Sequence, residues 1–320
     1  MRSHCRRLAL LSVLCLVSAG TLPAIAQSYP SAPVKFVTPL PAGGGTDPAM
    51  RIVIDQLGKL WGHQTALVNQ PGAGGAIAAR TALAAPPDGH TLLMAIASTY
   101  TSLPEVQPDL AAPLHELVPV GFVGEVPMAI AVAPNLPAKS LPELIALSKK
   151  QAGGLNVALA LRGGTTHLTT ELLGIRSGAD LTPVFYPAAA QALSDVISGR
   201  VQVIIDGLSG PVGGGQVRLI AVASRERMVS RPEIPTVFET LPGVTSTGWV
   251  ALVAPPRTPA DIVNKIRTDL EAVLARLDVQ QRLEAISFSR RAMTTKQLAE
   301  FISDERKVWG PIVKRLNAAP

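Results

Sequence analysis

Val34-Lys35-Phe36-Val37-Thr38-Pro39-Leu40, followed by Pro41-Ala42-Gly43-Gly44-Gly45-Thr46-Asp47-Pro48, is the stretch that decides the fold. Val34 to Leu40 reads as a strand, and the glycine run as a tight turn. Thr46 or Asp47 caps the helix that follows, with Pro48 just inside its first turn. Met50, Val53, Ile54, Leu57 and Trp61 then form an apolar stripe at helical spacing, which Gly62 ends. A strand running through a glycine turn into a helix is the repeating unit of an α/β fold, and such folds take ligands at the carboxyl edge of the sheet.

Working outward, the same device recurs. Gln64 to Asn69 reads as a strand, followed by Pro71-Gly72-Ala73-Gly74-Gly75 and an alanine-rich helix to about Ala85. Thr91 to Ala97 runs into Ser98, Thr99 and Tyr100. Asn156 to Leu161 enters Arg162-Gly163-Gly164-Thr165-Thr166-His167 and a new helix. Thr182 to Tyr186 leads to a helix over Ala188 to Ser198. Val118 to Gly124, Met128 to Ala133, Val201 to Ile205 and Arg218 to Ala223 are further strands, and Leu141 to Lys150 is a helix. Trp249 to Ala254 is read as the crossing back to the first lobe. The tail is helical over Pro259 to Leu277, Val279 to Ile286, and from Thr294 to about Leu316, where Thr294 and Gln297 fit a capping box.

The N-terminus reads as a targeting segment. Arg2, Arg6 and Arg7 precede a short apolar run, Leu8 to Val17, and Ala24-Ile25-Ala26 forms a cleavage site, so residues 1–26 are expected to be a cleaved signal peptide and the protein periplasmic. Leu14 before Cys15 is too bulky for a lipoprotein site. Both cysteines, Cys5 and Cys15, fall in that segment, so the mature chain is expected to hold no disulfide, thiolate metal site or cysteine nucleophile. Cleavage removes three of the 29 Lys and Arg and none of the 23 Asp and Glu, for a net charge of +3. So small an excess gives no reason to expect nucleic-acid binding. The 294 residues left of 320 exceed one comfortable core and imply two lobes.

The repeated turns carry the chemical inference. Each presents unpaired main-chain N–H groups and the positive end of a helix dipole, a setting that favours anions by about 0.3–1 kcal/mol per helix end. Enzyme motifs fit poorly. G-x-x-x-x-G-K-[ST] is absent, and Ile77 stands where a dinucleotide fingerprint starting at Gly72 needs its last glycine. There is neither G-x-S-x-G nor H-E-x-x-H, and His63, His90, His115 and His167 have no metal-ligand spacing. No cofactor and no metal is called for. A hydrolase or isomerase using His167 with Thr165, Thr166 and Asp206 is the alternative from another class.

Taken in order, the motifs resemble a known family. Tyr29-Pro30, Val34-Lys35-Phe36-Val37 and Pro41 to Asp47 are similar to its opening signature; Asn69 to Gly75 and Pro87-Asp88-Gly89-His90-Thr91-Leu92-Leu93 are similar to its second. His167-Leu168, Glu171-Leu172, Tyr186, Gly199-Arg200-Val201, Arg218 to Ser224, Pro235-Thr236, Trp249 and Phe301 to Trp309 continue it. The family is the Bug-type solute-binding receptors of tripartite tricarboxylate transporters. The resemblance implies a type II periplasmic-binding-protein fold, with two α/β lobes and a ligand cleft between them. Lobe one would be residues 28–128 plus 251–320, and lobe two residues 129–250. It implies a monomer that captures a small carboxylate or related polar metabolite and is then recognised by transporter membrane subunits, or, in a second role, by a membrane sensor. Carried over by position, contacts would come from Gly43, Gly44, Asp47, Gly74, Gly75, Ser98 and Thr99 in lobe one, and from Gly163, Thr165, His167, Tyr186 and Asp206 in lobe two. Asp47 has the competing role of capping its helix, and Asp206 that of tying a loop.

The chain departs from the family pattern in lobe two. Gly164 lacks the hydroxyl usual there, Arg162 adds a cation beside it, Pro187-Ala188 replaces Lys-Gly, and Pro211-Val212-Gly213-Gly214-Gly215 shortens the segment after Asp206. These changes bear on ligand choice. Arg162 is the further candidate, as a direct partner for a ligand carboxylate, with an exposed, solvated arginine as the competing reading.

Overall fold

The apolar runs fold into two parallel three-stranded sets joined by a long antiparallel pair. The computed structural model describes residues 29–228 and 230–318; the expected signal peptide, with Cys5 and Cys15, lies outside the described residues. The described residues from Ala32 onward form one compact unit. No helix among the described residues is long and apolar enough to cross a membrane.

The first set consists of β1 (Val34–Thr38), β2 (Thr65–Asn69) and β3 (Thr91–Ile96), with β1 central and parallel to both neighbours. Val34, Phe36 and Val37 are buried together, as expected of a strand covered on both faces rather than alternating. The second set is β5 (Leu155–Leu159), β6 (Leu181–Phe185) and β7 (Val203–Gly207), with β5 central. Between them lie β4 (Val118–Val132) and β9 (Thr247–Ala254), giving the order β2-β1-β3-β9-β4-β7-β5-β6, while β8 (Arg218–Val222) pairs with β4. The sheet is therefore mixed, and the glycine turns leave the carboxyl ends of two separate parallel sets.

β4 corrects the reading of two strands broken near Gly124. It runs unbroken, paired with β9 from Val118 to Pro127 and with β7 from Met128 to Val132. Register shifts at Pro119/Gly121 and Phe122/Gly124 absorb the glycines and prolines that look like breaks in the sequence. Pro127 lacks an N–H, but its carbonyl accepts from Leu208 N at 3.2 Å, so the strand continues across it.

The helices follow the expected periodicity. α1 (Asp47–Trp61) buries Met50, Val53, Ile54 and Leu57, and Gly62 ends it in the left-handed region at φ 66°. Trp61 stacks on Phe36 with ring centroids 6.2 Å apart. α2 (Ala76–Leu83) and the short α3 (Ala97–Thr101) cover the first set; α4 (Leu141–Lys150), α5 (Thr165–Ser177) and α6 (Ala189–Ile197) belong to the second. α7 (Ala260–Ala275), α8 (Leu277–Ala285) and α9 (Thr295–Ala318) complete the chain. The capping box at α9 is formed: Gln297 N donates to Thr294 Oγ1 at 3.2 Å, and Thr294 N to Gln297 Oε1 at 2.9 Å.

The tail returns to β4. Glu125 and Ser289 exchange main-chain hydrogen bonds at 2.9 and 2.8 Å. This is possible only because position 124 is glycine. A Cβ there would stand 2.2 Å from Phe288 Cε1 and 2.7 Å from the Ser289 carbonyl oxygen. Gly124→Ala is expected to lower the free energy of unfolding by roughly 1–3 kcal/mol. Urea unfolding checks this, and a midpoint unchanged from the parent would show that the tail does not hold this position.

Candidate functional site

The carboxyl ends of the two parallel sets face a common cavity of about 40 Å³. Gly45 and Thr46 reach it from the turn before α1, and Ile96 and Ala97 from the end of β3. Leu161, Gly164, Thr165 and Thr166 come from the start of α5, and Asp206 and Gly207 from the end of β7. Met128 of β4 and Trp249 of β9 form part of its apolar wall.

The two sides meet through main-chain groups. Gly45 N donates to Asp206 Oδ2 at 3.2 Å, and Ser209 Oγ donates to the Gly45 carbonyl at 2.7 Å. Ser102 Oγ donates to the Gly163 carbonyl at 2.5 Å. A Cβ on Gly74 would lie 3.7 Å from the Arg162 carbonyl oxygen. The turns near residues 43, 74 and 163 therefore converge on one side of the molecule.

Of the residues expected from the sequence, Thr165 and Asp206 line the cavity, and the others are not among its lining residues. Gly43 is exposed, and its N–H donates to Asp47 Oδ2 at 3.0 Å. Gly44 N donates to the Pro41 carbonyl at 3.3 Å. Asp47 is buried and saturated: Oδ2 also accepts from Arg51 Nε at 2.8 Å, and Oδ1 accepts from Asn69 Nδ2 at 2.8 Å and Arg51 Nη2 at 3.2 Å. It secures the turn. Gly75 N turns back to the Gly72 carbonyl at 2.9 Å, and Gly74 sits in the same tight turn at φ 66°.

Ser98 and Thr99 are buried in α3, where Thr99 Oγ1 accepts from Ile96 N at 3.2 Å and the Ser98 carbonyl accepts from Ser102. Tyr186 donates its hydroxyl to Asp195 Oδ2 at 2.8 Å; burial, together with that carboxylate, pushes the phenol up to about 12. Arg162 is exposed, its guanidinium 4.4 Å above the Phe185 ring, consistent with a cation–π contact. Gly164 sits where a Cβ would come within 3.0 Å of the Leu161 carbonyl oxygen, a physical reason for the missing side chain.

Both ring nitrogens of His167 are engaged by groups outside the set that a hydrolytic reading would combine. Its Nδ1 accepts from Gly163 N at 3.0 Å, Nε2 lies 3.6 Å from Glu171 Oε1, and the ring stands edge-on to Phe185. The histidine orders the turn before α5.

Sequence reasoning missed Gly45, Thr46, Thr166 and Trp249. Thr46 Oγ1 is buried without a hydrogen-bond partner, and Thr46 is 4 % exposed. Trp249 Nε1 donates to Glu305 Oε2 at 3.0 Å, and Phe301 packs edge-on to its indole. The available signal for Trp249 was its place at the start of a strand that crosses between the two sets.

Two titrations oppose each other here. Burial, reinforced by the Arg162 charge, pushes His167 from 6.5 down to about 4. Its folded value lies below its unfolded one, so its contribution is complete above about 6.5 and is lost as pH falls toward 4. Burial holds Asp206 up at about 6, against the hydrogen bonds from Gly45 and Gly207. The cost of its buried charge is therefore relieved as pH falls below about 6. His167→Asn can keep an acceptor for Gly163 N, and is expected to lose roughly 2–3 kcal/mol less stability than the parent between neutral pH and about 4.5. Denaturant titrations at both pH values measure this; parallel losses in parent and variant would show that the histidine is not the acid-labile group.

Comparison with known proteins gives a consistent picture. BugT of Bordetella pertussis is 29% identical over 319 residues, covering 98% of each chain. MatC from Rhodopseudomonas palustris, solved with bound malate, is 29% identical with a TM-score of 0.81, covering 89% of this chain and 100% of that one. An R. palustris protein solved with adipate is 26% identical with a TM-score of 0.80, covering 89% and 97%. A sequence profile described as tripartite tricarboxylate transporter family receptor matches residues 49–318. With its two parallel sets opening on one cavity, the chain belongs to the tripartite tricarboxylate transporter receptor family, TctC.

Proposed function

We propose that this protein is a periplasmic receptor that captures a small carboxylate between two lobes and presents it to the membrane subunits of a tripartite transporter. The observation that carries this reading is the arrival of two helix starts, α1 at Thr46 and α5 at Gly164–Thr165, at the same cavity from opposite parallel sets. Both present N-terminal N–H groups of a helix of more than three turns, a setting that favours an anion. The carboxylates bound by MatC and by the adipate-bound relative support the ligand class.

The lobes divide within β4 and β9: residues 28–128 with 251–320 as the first, residues 129–250 as the second. The 15-residue β4 contributes to both sheets and supplies the hinge. A ligand that touches both helix starts favours the closed arrangement by its differential affinity, the usual thermodynamics of hinge closure. Export through cleavage after Ala26 accounts for the N-terminal segment. Binding without turnover is supported by the partners of His167, whose Nδ1 is taken by Gly163 N and whose Nε2 lies beside Glu171.

Titrating the mature protein with mono-, di- and tricarboxylates in a thermal-shift screen tests the reading. A ligand at a hundred times its Kd should add about 2.7 kcal/mol of stability. Gly45→Val is expected to weaken that ligand at least tenfold while leaving the circular-dichroism spectrum unchanged. Position 45 has φ 40°, and its Cβ would lie 3.1 Å from Asp206 Oδ1, so a side chain there wedges the lobes apart. No stabilisation by any carboxylate would defeat the receptor reading.

A further inference from the structure

The two helix starts that meet at the cavity are not electrostatically equivalent. The α1 end is already served by carboxylates of the protein itself. Asp47, in the first turn, takes the Gly43 N–H, and Asp206 takes the Gly45 N–H from across the cleft. The α5 end has no acidic residue in its first turn, and Gly164, Thr165 and Thr166 open it directly onto the cavity. Among the described residues lining the cavity, Asp206 is the one ionisable side chain, and no Lys, Arg or His reaches it. Arg162, the nearest candidate cation by sequence, lies over Phe185 instead. Between the two ends the wall is apolar, with Ile96, Met128 and Trp249.

One polar group at the α1 end is left over. Thr46 lines the cavity, and its Oγ1 is buried and unpartnered, a setting in which an unmet hydroxyl is costly. It stands beside Gly45, whose N–H is held by Asp206. A hydroxyl and a carboxylate together form a receptor for a hydrogen-bond donor. A second anionic group placed there would meet a buried carboxylate with no cation to offset it, which strongly disfavours like charge.

We propose, building on the receptor reading above, that the ligand is a polarised monocarboxylate: its single carboxylate sits at the start of α5, its short apolar body lies against Met128 and Trp249, and a hydroxyl, amide or ammonium donor at its other end is held by Asp206 and Thr46. The second carboxylate of a di- or tricarboxylate is selected against at the Asp206 end. Because Asp206 titrates at about 6, it is mainly the ionised acceptor at neutral pH. The hydrogen bonds from Gly45 N and Gly207 N hold that charge against the cost of its burial, and among the described residues lining the cavity no cation competes for it.

Isothermal titration at neutral pH with three matched series tests the inference: ω-hydroxy acids, ω-amino acids and α,ω-dicarboxylates at each chain length from propionate to octanoate. One of the two donor series is expected to contain the tightest ligand, at least about tenfold tighter than the dicarboxylate of equal length. Asp206→Asn is expected to narrow that gap at least about tenfold, chiefly through a gain for the dicarboxylate. Thr46→Val should weaken the donor ligand alone. A dicarboxylate that binds the parent as tightly as its donor-ended counterpart overturns this inference and leaves the receptor reading standing. Absence of binding by every member of all three series, and by tricarboxylates, removes both. The parent titrations decide the matter even if either variant fails to fold.

Discussion

Gly45 is held at both of its main-chain polar groups by the end of β7 and the turn after it. Asp206 accepts its N–H and Ser209 donates to its carbonyl, so the first turn of the chain is tied to a segment more than 160 residues away. The tie depends on close approach of two backbones. A Cβ on Gly210 would lie 2.7 Å from Gly45 N, and one on Gly207 would lie 3.3 Å from Gly45 Cα. Asp206 itself is a buried carboxylate satisfied by peptide dipoles, with Gly207 N donating to Oδ1 at 2.8 Å. Such a charge is tolerated only while the N–H groups remain aimed at it. The geometry of the cleft and the ionisation of its one acid are therefore one constraint.

The end of the chain reinforces this arrangement from behind. Leu298 and Phe301 near the start of α9 pack with Trp249 in the core of the first set. Trp309 and Val313, on either side of the Gly310-Pro311 step, pack instead against Leu168 of α5. Glu305 lies between these two contacts and holds the Trp249 indole N–H, itself raised above its ordinary value by burial. One helix thus supports the apolar wall of the cavity and the helix that opens its other end. Packed interfaces of this kind favour discrete arrangements over continuous deformation.

Much of the fold is legible in the sequence because its signals are local. The stripe from Met50 to Leu57, the glycine stop at Gly62, the buried run of β1 and the Thr294–Gln297 cap depend on residues a few positions apart, and each is formed as read. β4 was misread for the complementary reason. Gly124 and Pro127 look like strand breakers, but β9, β7 and the Ser289 crossing supply partners from far along the chain. Local propensity yields to such pairing when the partners are present.

The cleft divides in the same way. Residue order alone shows that several glycine turns precede helices and that their N–H groups lie at the carboxyl edges of strands. It could not determine which of those groups remain available. Gly43 serves Asp47, Gly44 serves Pro41, and Gly45 serves Asp206, while Thr46 and the start of α5 are left facing the cavity. A hydrogen bond between residues distant in the chain leaves no periodic or compositional trace, since its partners are brought together only when the two sheets pack. That assignment, and with it the polarity of the site, was decided by the tertiary structure.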